Sequence, residues 1–185
     1  VKKTELEDVI RQQANPNLVK FAEILLEKVD KKDFVAGVVG QNIVLEGMAF
    51  TVFELLEAGN REFNPKFSQT LKGTIADERR HVGFGENRIG SLIVQYPEKK
   101  PEIEKMQQEM AYYMLATFSD SFSNADRKPA PAPTASTATA DFHGTNLATA
   151  TPEEMEAVLA NTVIAEFKTR LARVGLEYQT PTAPA

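Results

Sequence analysis

Apolar residues recur at helical spacing along most of this chain. Leu18, Phe21, Ile24, Leu25 and Val29 share one face of residues 18–31, with charges between them, and predict an amphipathic helix with one buried side. A shorter helix is expected over residues 4–13, broken at Asn15-Pro16-Asn17, with Asn17 placed to cap the next helix. The pattern changes over residues 33–58, which start at a capping Asp33 and close at Gly59-Asn60. Its middle, "FVAGVVGQNIVLEGMAF", is apolar on nearly every side and carries three glycines that would weaken an isolated helix. Such a helix has to be surrounded by others. "NREFNPKF" reads as a connection to a long helix over residues 68–96, ended by Pro97, and another helix follows over 102–122, with Ile103, Met106, Met110, Tyr113, Met114 and Thr117 on one side.

Residues 127–151, "RKPAPAPTASTATADFHGTNLATAT", have the Pro/Ala/Thr composition of an extended linker, and a last helix is expected from Pro152 to about Val174, with Glu153, Glu154 and Glu156 favouring its N-terminus. No strand pattern and no internal repeat stand out. The fold class expected is all-α: a helical bundle segment over 1–125, a flexible linker over 126–151, a C-terminal helix over 152–176 and a disordered tail over 177–185.

Composition narrows the chemistry more than the fold. At 185 residues and 42% hydrophobic content the chain can build a core. Its net charge of −5, from 26 acidic and 21 basic residues, is well mixed along the sequence, so no basic stripe marks a nucleic-acid partner. With no cysteine, disulfides, thiolate metal sites and iron–sulfur clusters are excluded, and any metal must be held by oxygen and imidazole. Apolar runs stay short of the roughly 18 residues of a membrane span, and no leader pattern opens the chain, so a cytoplasmic location without a membrane span is expected. Residue 1 is Val, which makes a processed product or a piece of a longer protein the expectation.

Two carboxylates then stand out. Glu46 sits in the middle of the most apolar helix, where an unpaired charge costs several kcal/mol unless a cation or a strong partner meets it. On the next helix Leu71, Thr74, Ile75, Glu78, His81, Val82, Gly85, Ile89 and Leu92 form one stripe, which puts Glu78 and His81 on the inward face one turn apart. A buried Glu on one helix beside an inward Glu-x-x-His on its neighbour is half the ligand set of a di-iron carboxylate bundle. A structural salt bridge from Glu46 to Arg79, Arg80 or Arg88 is the alternative. Asp77 and Arg80 stand beside the pair as candidates to orient a metal-bound imidazole, or as a plain surface ion pair. Phe50, Phe53 and Phe84 are core residues or the lining of a substrate pocket. The only other histidine, His143, falls in the expected linker with no Glu three residues before it.

At these residues the sequence resembles the ferritin-like di-iron carboxylate superfamily. "DERRH", residues 77–81, is similar to the Asp-Glu-x-Arg-His signature of soluble acyl desaturases and bacterial multicomponent monooxygenases. "NIVLEGMAF" followed by "ADERRHVGFG" looks most like the ligand-binding oxidases related to the ribonucleotide reductase small subunit. The resemblance covers about residues 35–95. It implies the second half of a ferritin-like bundle in which Glu46, Glu78 and His81 bind two iron ions, or a manganese–iron pair, that react with dioxygen beside an apolar cavity. The first Glu and first Glu-x-x-His of that family lie upstream, and Glu5, Glu7, Glu23 and Glu27 have no His at the matching spacing. The rest of the site is therefore expected from a second polypeptide or, less favoured, a second copy, with an electron donor as a further partner. A ferritin-type iron-binding protein and a non-catalytic helical interaction module are the competing readings.

Overall fold

The computed structural model describes residues 3–123, 141–147 and 149–183. Helix α1 spans Lys3–Gln13 and α2 spans Pro16–Asp30. Asn15, rather than Asn17, caps α2: its side chain accepts from the N–H groups of Asn17 and Leu18, and Pro16 takes the first helical position, where its missing N–H leaves no gap. Asp33 caps the next helix as expected, accepting from the Ala36 N–H at 3.0 Å.

The long apolar helix is not a uniform one. It runs as α3 (Phe34–Val38), widens into a π-helical segment (Val39–Leu45), and returns to α-helix as α4 (Glu46–Asn60). Asn64 caps the 31-residue α5 (Pro65–Gln95), a short 3₁₀ turn (Pro97–Lys99) follows, and α6 spans Lys100–Ser123. By length and composition Phe34–Asn60 is apolar enough to cross a membrane, with a mean hydropathy of 1.4 in its apolar window. Yet 56% of that window is buried, as in a core helix. Around it pack α2 against α3, α6 against the π segment, and α5 and the last helix, α7 (Pro152–Arg173), against α4.

Within the stretch expected to be linker, residues 126–140 and 148 lie outside the described residues. Residues 141–146 form a small antiparallel hairpin, β1 (Asp141–Phe142) and β2 (Thr145–Asn146), through a two-residue turn at His143-Gly144. Both turn residues have positive φ, 49° and 83°, the pattern of the turn that best matches strand twist. Phe142 is buried, so the hairpin is docked on the bundle.

Helix α7 (Pro152–Arg173) opens on a reciprocal capping box between Thr151 and Glu154. It ends in a Schellman motif: Gly175 adopts φ 78°, Leu176 N–H donates to Leu171 O, and Gly175 N–H to Ala172 O. Leu176 is buried, and Tyr178, in the expected tail, meets Phe167 edge-on, so the start of that tail packs on the helix. The core is shared by Phe21 of α2, Val39, Ile43 and Met48 of the central helix, Ile89 of α5, Met110 and Met114 of α6, and Phe167 and Leu171 of α7. Each such side chain contributes roughly 1.5–3 kcal/mol by leaving water. The molecule is an all-α helical bundle, with the hairpin as its only strand pair among the described residues.

Candidate metal centre

Glu46 is the first residue of α4, where the π segment ends, and Glu78 and His81 lie one turn apart on α5. The two helices cross closely because Gly85 has no side chain: a Cβ there would lie 2.5 Å from the Asn42 Cβ and 3.3 Å from Ile43 Cδ1. That approach sets Glu46 opposite the Glu-x-x-His pair. One ligating atom from each of the three residues falls within 4.8 Å of the other two.

His81 turns Nδ1 to both carboxylates, 3.4 Å from Glu46 Oε1 and 3.4 Å from Glu78 Oε2. The Glu46 side chain is 12% exposed and that of Glu78 19%, whereas His81 is 54% exposed, so the cluster is roofed by protein on one side and open on the other. Glu46 Oε2 accepts from Asn42 Nδ2 at 2.7 Å and Oε1 from Gln41 Nε2 at 3.1 Å. Glu78 Oε2 has no hydrogen-bond partner although it is shut off from solvent; its contact with His81 lacks hydrogen-bond geometry. An oxygen left that way normally carries a penalty of about 1–3 kcal/mol unless something unseen meets it. Two carboxylates and an imidazole form a hard, borderline donor set that suits iron, manganese or zinc, and the orphaned oxygen is where an ion would be placed.

None of the three arginines that offered a salt-bridge reading reaches Glu46. Arg79 stacks on the Phe50 ring (5.6 Å to its centroid), Arg80 pairs with Asp77, and Arg88 lies over Phe84 (5.3 Å). The Asp77–Arg80 pair is well exposed, so its geometry is that of a surface ion pair. Residues that do support the cluster, Gln41 and Asn42, escape sequence reasoning. In a regular helix the residue five before Glu46 points away from it, and nothing in the local pattern announces a π turn.

The three phenylalanines do not share one pocket. Phe50 is buried between the guanidiniums of Arg79 and Arg170. It lines a groove of about 890 Å³ between α4, α5, α7 and the hairpin. Phe53 is half-buried two turns along α4 from Glu46, and Phe84 is exposed one turn along α5 from His81; because the helices run antiparallel, the two flank the cluster from opposite ends. The groove itself is strongly charged. Arg170, held below its usual pKa by burial, donates to the Gly47 carbonyl, while burial and the nearby Glu166 raise the Glu54 carboxyl. His143 stands at the hairpin turn beside this groove, away from the cluster, with its ring edge-on to Phe142.

No family model matches the chain, and no curated protein matches it either.

Proposed function

We propose that the protein is a dioxygen-activating di-iron, or manganese–iron, carboxylate oxidase or oxygenase. In this reading an apolar organic compound is oxidised at a site whose other half comes from a second polypeptide or a second copy of the chain. The observation that carries the proposal is the meeting of Glu46, Glu78 and His81 around a buried carboxylate oxygen with no partner. Two carboxylates and one imidazole are half of the donor set that a Glu from each of two helices and a Glu-x-x-His from each of two others would supply. The open side of the cluster, where His81 is exposed, is the side from which the missing half would approach.

When bound, such a pair of ions would supply the redox chemistry that links a donor protein's electrons to dioxygen. The chain's own residues do the rest. Glu46 and Glu78 would provide two negative charges, half of what two divalent ions carry, and His81 a nitrogen lone pair between them. Gln41 and Asn42 fix one carboxylate. Phe53 on α4 and Phe84 on α5 are the aromatic side chains that would help to exclude water once the open face is covered.

The test is anaerobic titration of the protein, in the assembly in which it is isolated, with ferrous iron, read by metal analysis, beside Glu78→Gln. Saturable uptake that disappears in the variant is expected. Equal uptake by both proteins, or none by either, would overturn the reading. Dioxygen consumption with an added reductant then separates an oxidase from a protein that only holds metal.

A further inference from the structure

Both oxygens of Glu46 are occupied, and both donors come from the π segment immediately before it. Asn42, four residues earlier, donates at 2.7 Å; Gln41, five residues earlier, donates at 3.1 Å. A regular α-helix forbids the second of these: at 3.6 residues per turn, a residue five positions back is rotated by roughly 140° from Glu46 and faces away. A π turn of about 4.4 residues brings positions four and five back to either side of Glu46, within about 50° of it. The widened turn over Val39–Leu45 therefore has a definite product, a carboxylate gripped by two amides at once.

The same segment is pressed against α5. Asn42 meets α5 at Gly85, one turn beyond His81, where any Cβ would collide with it. Asn42 thus joins two functions, setting the distance between the helices and holding Glu46 on the side of the cluster. Its amide, like that of Gln41, is neutral. The negative charge of Glu46 is oriented without being cancelled.

We propose that Gln41 and Asn42 are positioning residues that aim the Glu46 carboxylate at a metal ion shared with Glu78 and His81, and that the π segment exists to bring both amides to it. The inference rests on the reading of the cluster as a metal site and adds what sets its affinity. Outer partners of metal ligands typically account for about 10–100-fold in affinity. Asn42, with the shorter bond, has the larger share.

The experiment is a titration of wild type, Asn42→Leu and Gln41→Leu with cobalt(II), read by its visible absorption bands, with ferrous iron affinity measured anaerobically in parallel. Circular dichroism and melting temperature of the metal-free proteins show whether each is folded. Expected are a fall of about 10–100-fold in affinity for Asn42→Leu, a smaller fall for Gln41→Leu, and cobalt bands that move as Glu46 turns away. Gln41 is half-buried and is not among the atoms nearest the Gly85 close approach, so its variant decides the matter if Asn42→Leu fails to fold. Folded variants that keep the wild-type affinity and bands would overturn the positioning role and leave the metal site standing. Wild type that takes up neither ion, or uptake that survives Glu78→Gln, would remove the metal site and the positioning role with it.

Discussion

Glu46 and Glu57 lie on the same helix, both largely shielded from water, and they are satisfied in opposite ways. The Glu57 side chain is 6% exposed and is surrounded by cations and a hydroxyl. Arg61 Nη2 donates to it at 2.7 Å and Arg61 Nε at 3.0–3.1 Å, Ser68 Oγ donates at 2.8 Å, and Lys72 lies 3.7 Å away. This is a carboxylate whose countercharge comes from the chain itself, and its job is to tie the end of α4 to the start of α5. Glu46 receives two neutral amides and a half-exposed imidazole, and its neighbour Glu78 keeps an oxygen with no hydrogen bond. Two largely shielded acids without an arginine or lysine partner are what the proposed metal site requires. A buried acid with its arginine is the mark of structure.

The largest effect that separates the two acids is ligand-linked stabilisation. Ferrous iron at about 100 times its dissociation constant should stabilise wild type by about 2.7 kcal/mol against unfolding, and should leave Glu46→Gln and His81→Ala unmoved. Glu57→Gln should respond to iron as wild type does; a loss of the iron response there would erase the distinction. Gly85→Ala comes next. Its Cβ would collide with Asn42 Cβ, which is anchored to the backbone, so about 1–3 kcal/mol of stability should be lost in denaturant titration, together with iron affinity. The contrast is Gly40, where an added Cβ meets only the flexible tips of Leu25 and Met110, and the Ala variant should be milder on both counts.

Smaller still is Glu57→Gln itself, about 1 kcal/mol, since Arg61 and Lys72 remain more than half exposed and screened. The effect should depend on pH in one direction. Hydrogen bonding from Arg61 holds the folded-state pKa of Glu57 below its ordinary value, with Ser68 assisting against the opposing effect of burial. A depressed carboxylate stabilises the fold above its unfolded pKa of about 4.3 and loses that contribution as pH falls through the folded value. Wild type and Glu57→Gln should therefore differ at neutral pH and converge in strong acid; a gap that widens on acidification would contradict the assignment. Smallest is Asp77→Asn, which breaks an exposed pair and should change neither stability nor iron affinity measurably.

The long helices were legible because their signals are local and repeated. The stripe through Leu71, Ile75, Glu78, Val82 and Ile89 puts the first acid of Glu-x-x-His inside, and the structure does hold Glu78 and His81 beside Glu46. Its limit shows at His81, which sits on the edge of that stripe and is half exposed. The π segment could not be read, since the apolar run through Val39 and Leu45 is equally compatible with α and π turns. Without it Gln41 and Asn42 have no visible connection to Glu46. By contrast, the Glu57–Arg61 pair was available as an (i, i+4) spacing, whereas Ser68 joins it only once the helices fold back. The hairpin at 141–146 also left a trace, a residue-Gly turn in "DFHGTN", outweighed by the Pro/Ala/Thr composition around it.

Native mass spectrometry of the protein purified with iron present, beside Glu78→Gln, decides whether these acids hold a metal. Metal is expected in the wild-type assembly, reaching two ions where two polypeptides each bring a half-site, and none in the variant. An assembly that stays metal-free, or a Glu78→Gln protein that retains the same metal, would contradict that expectation.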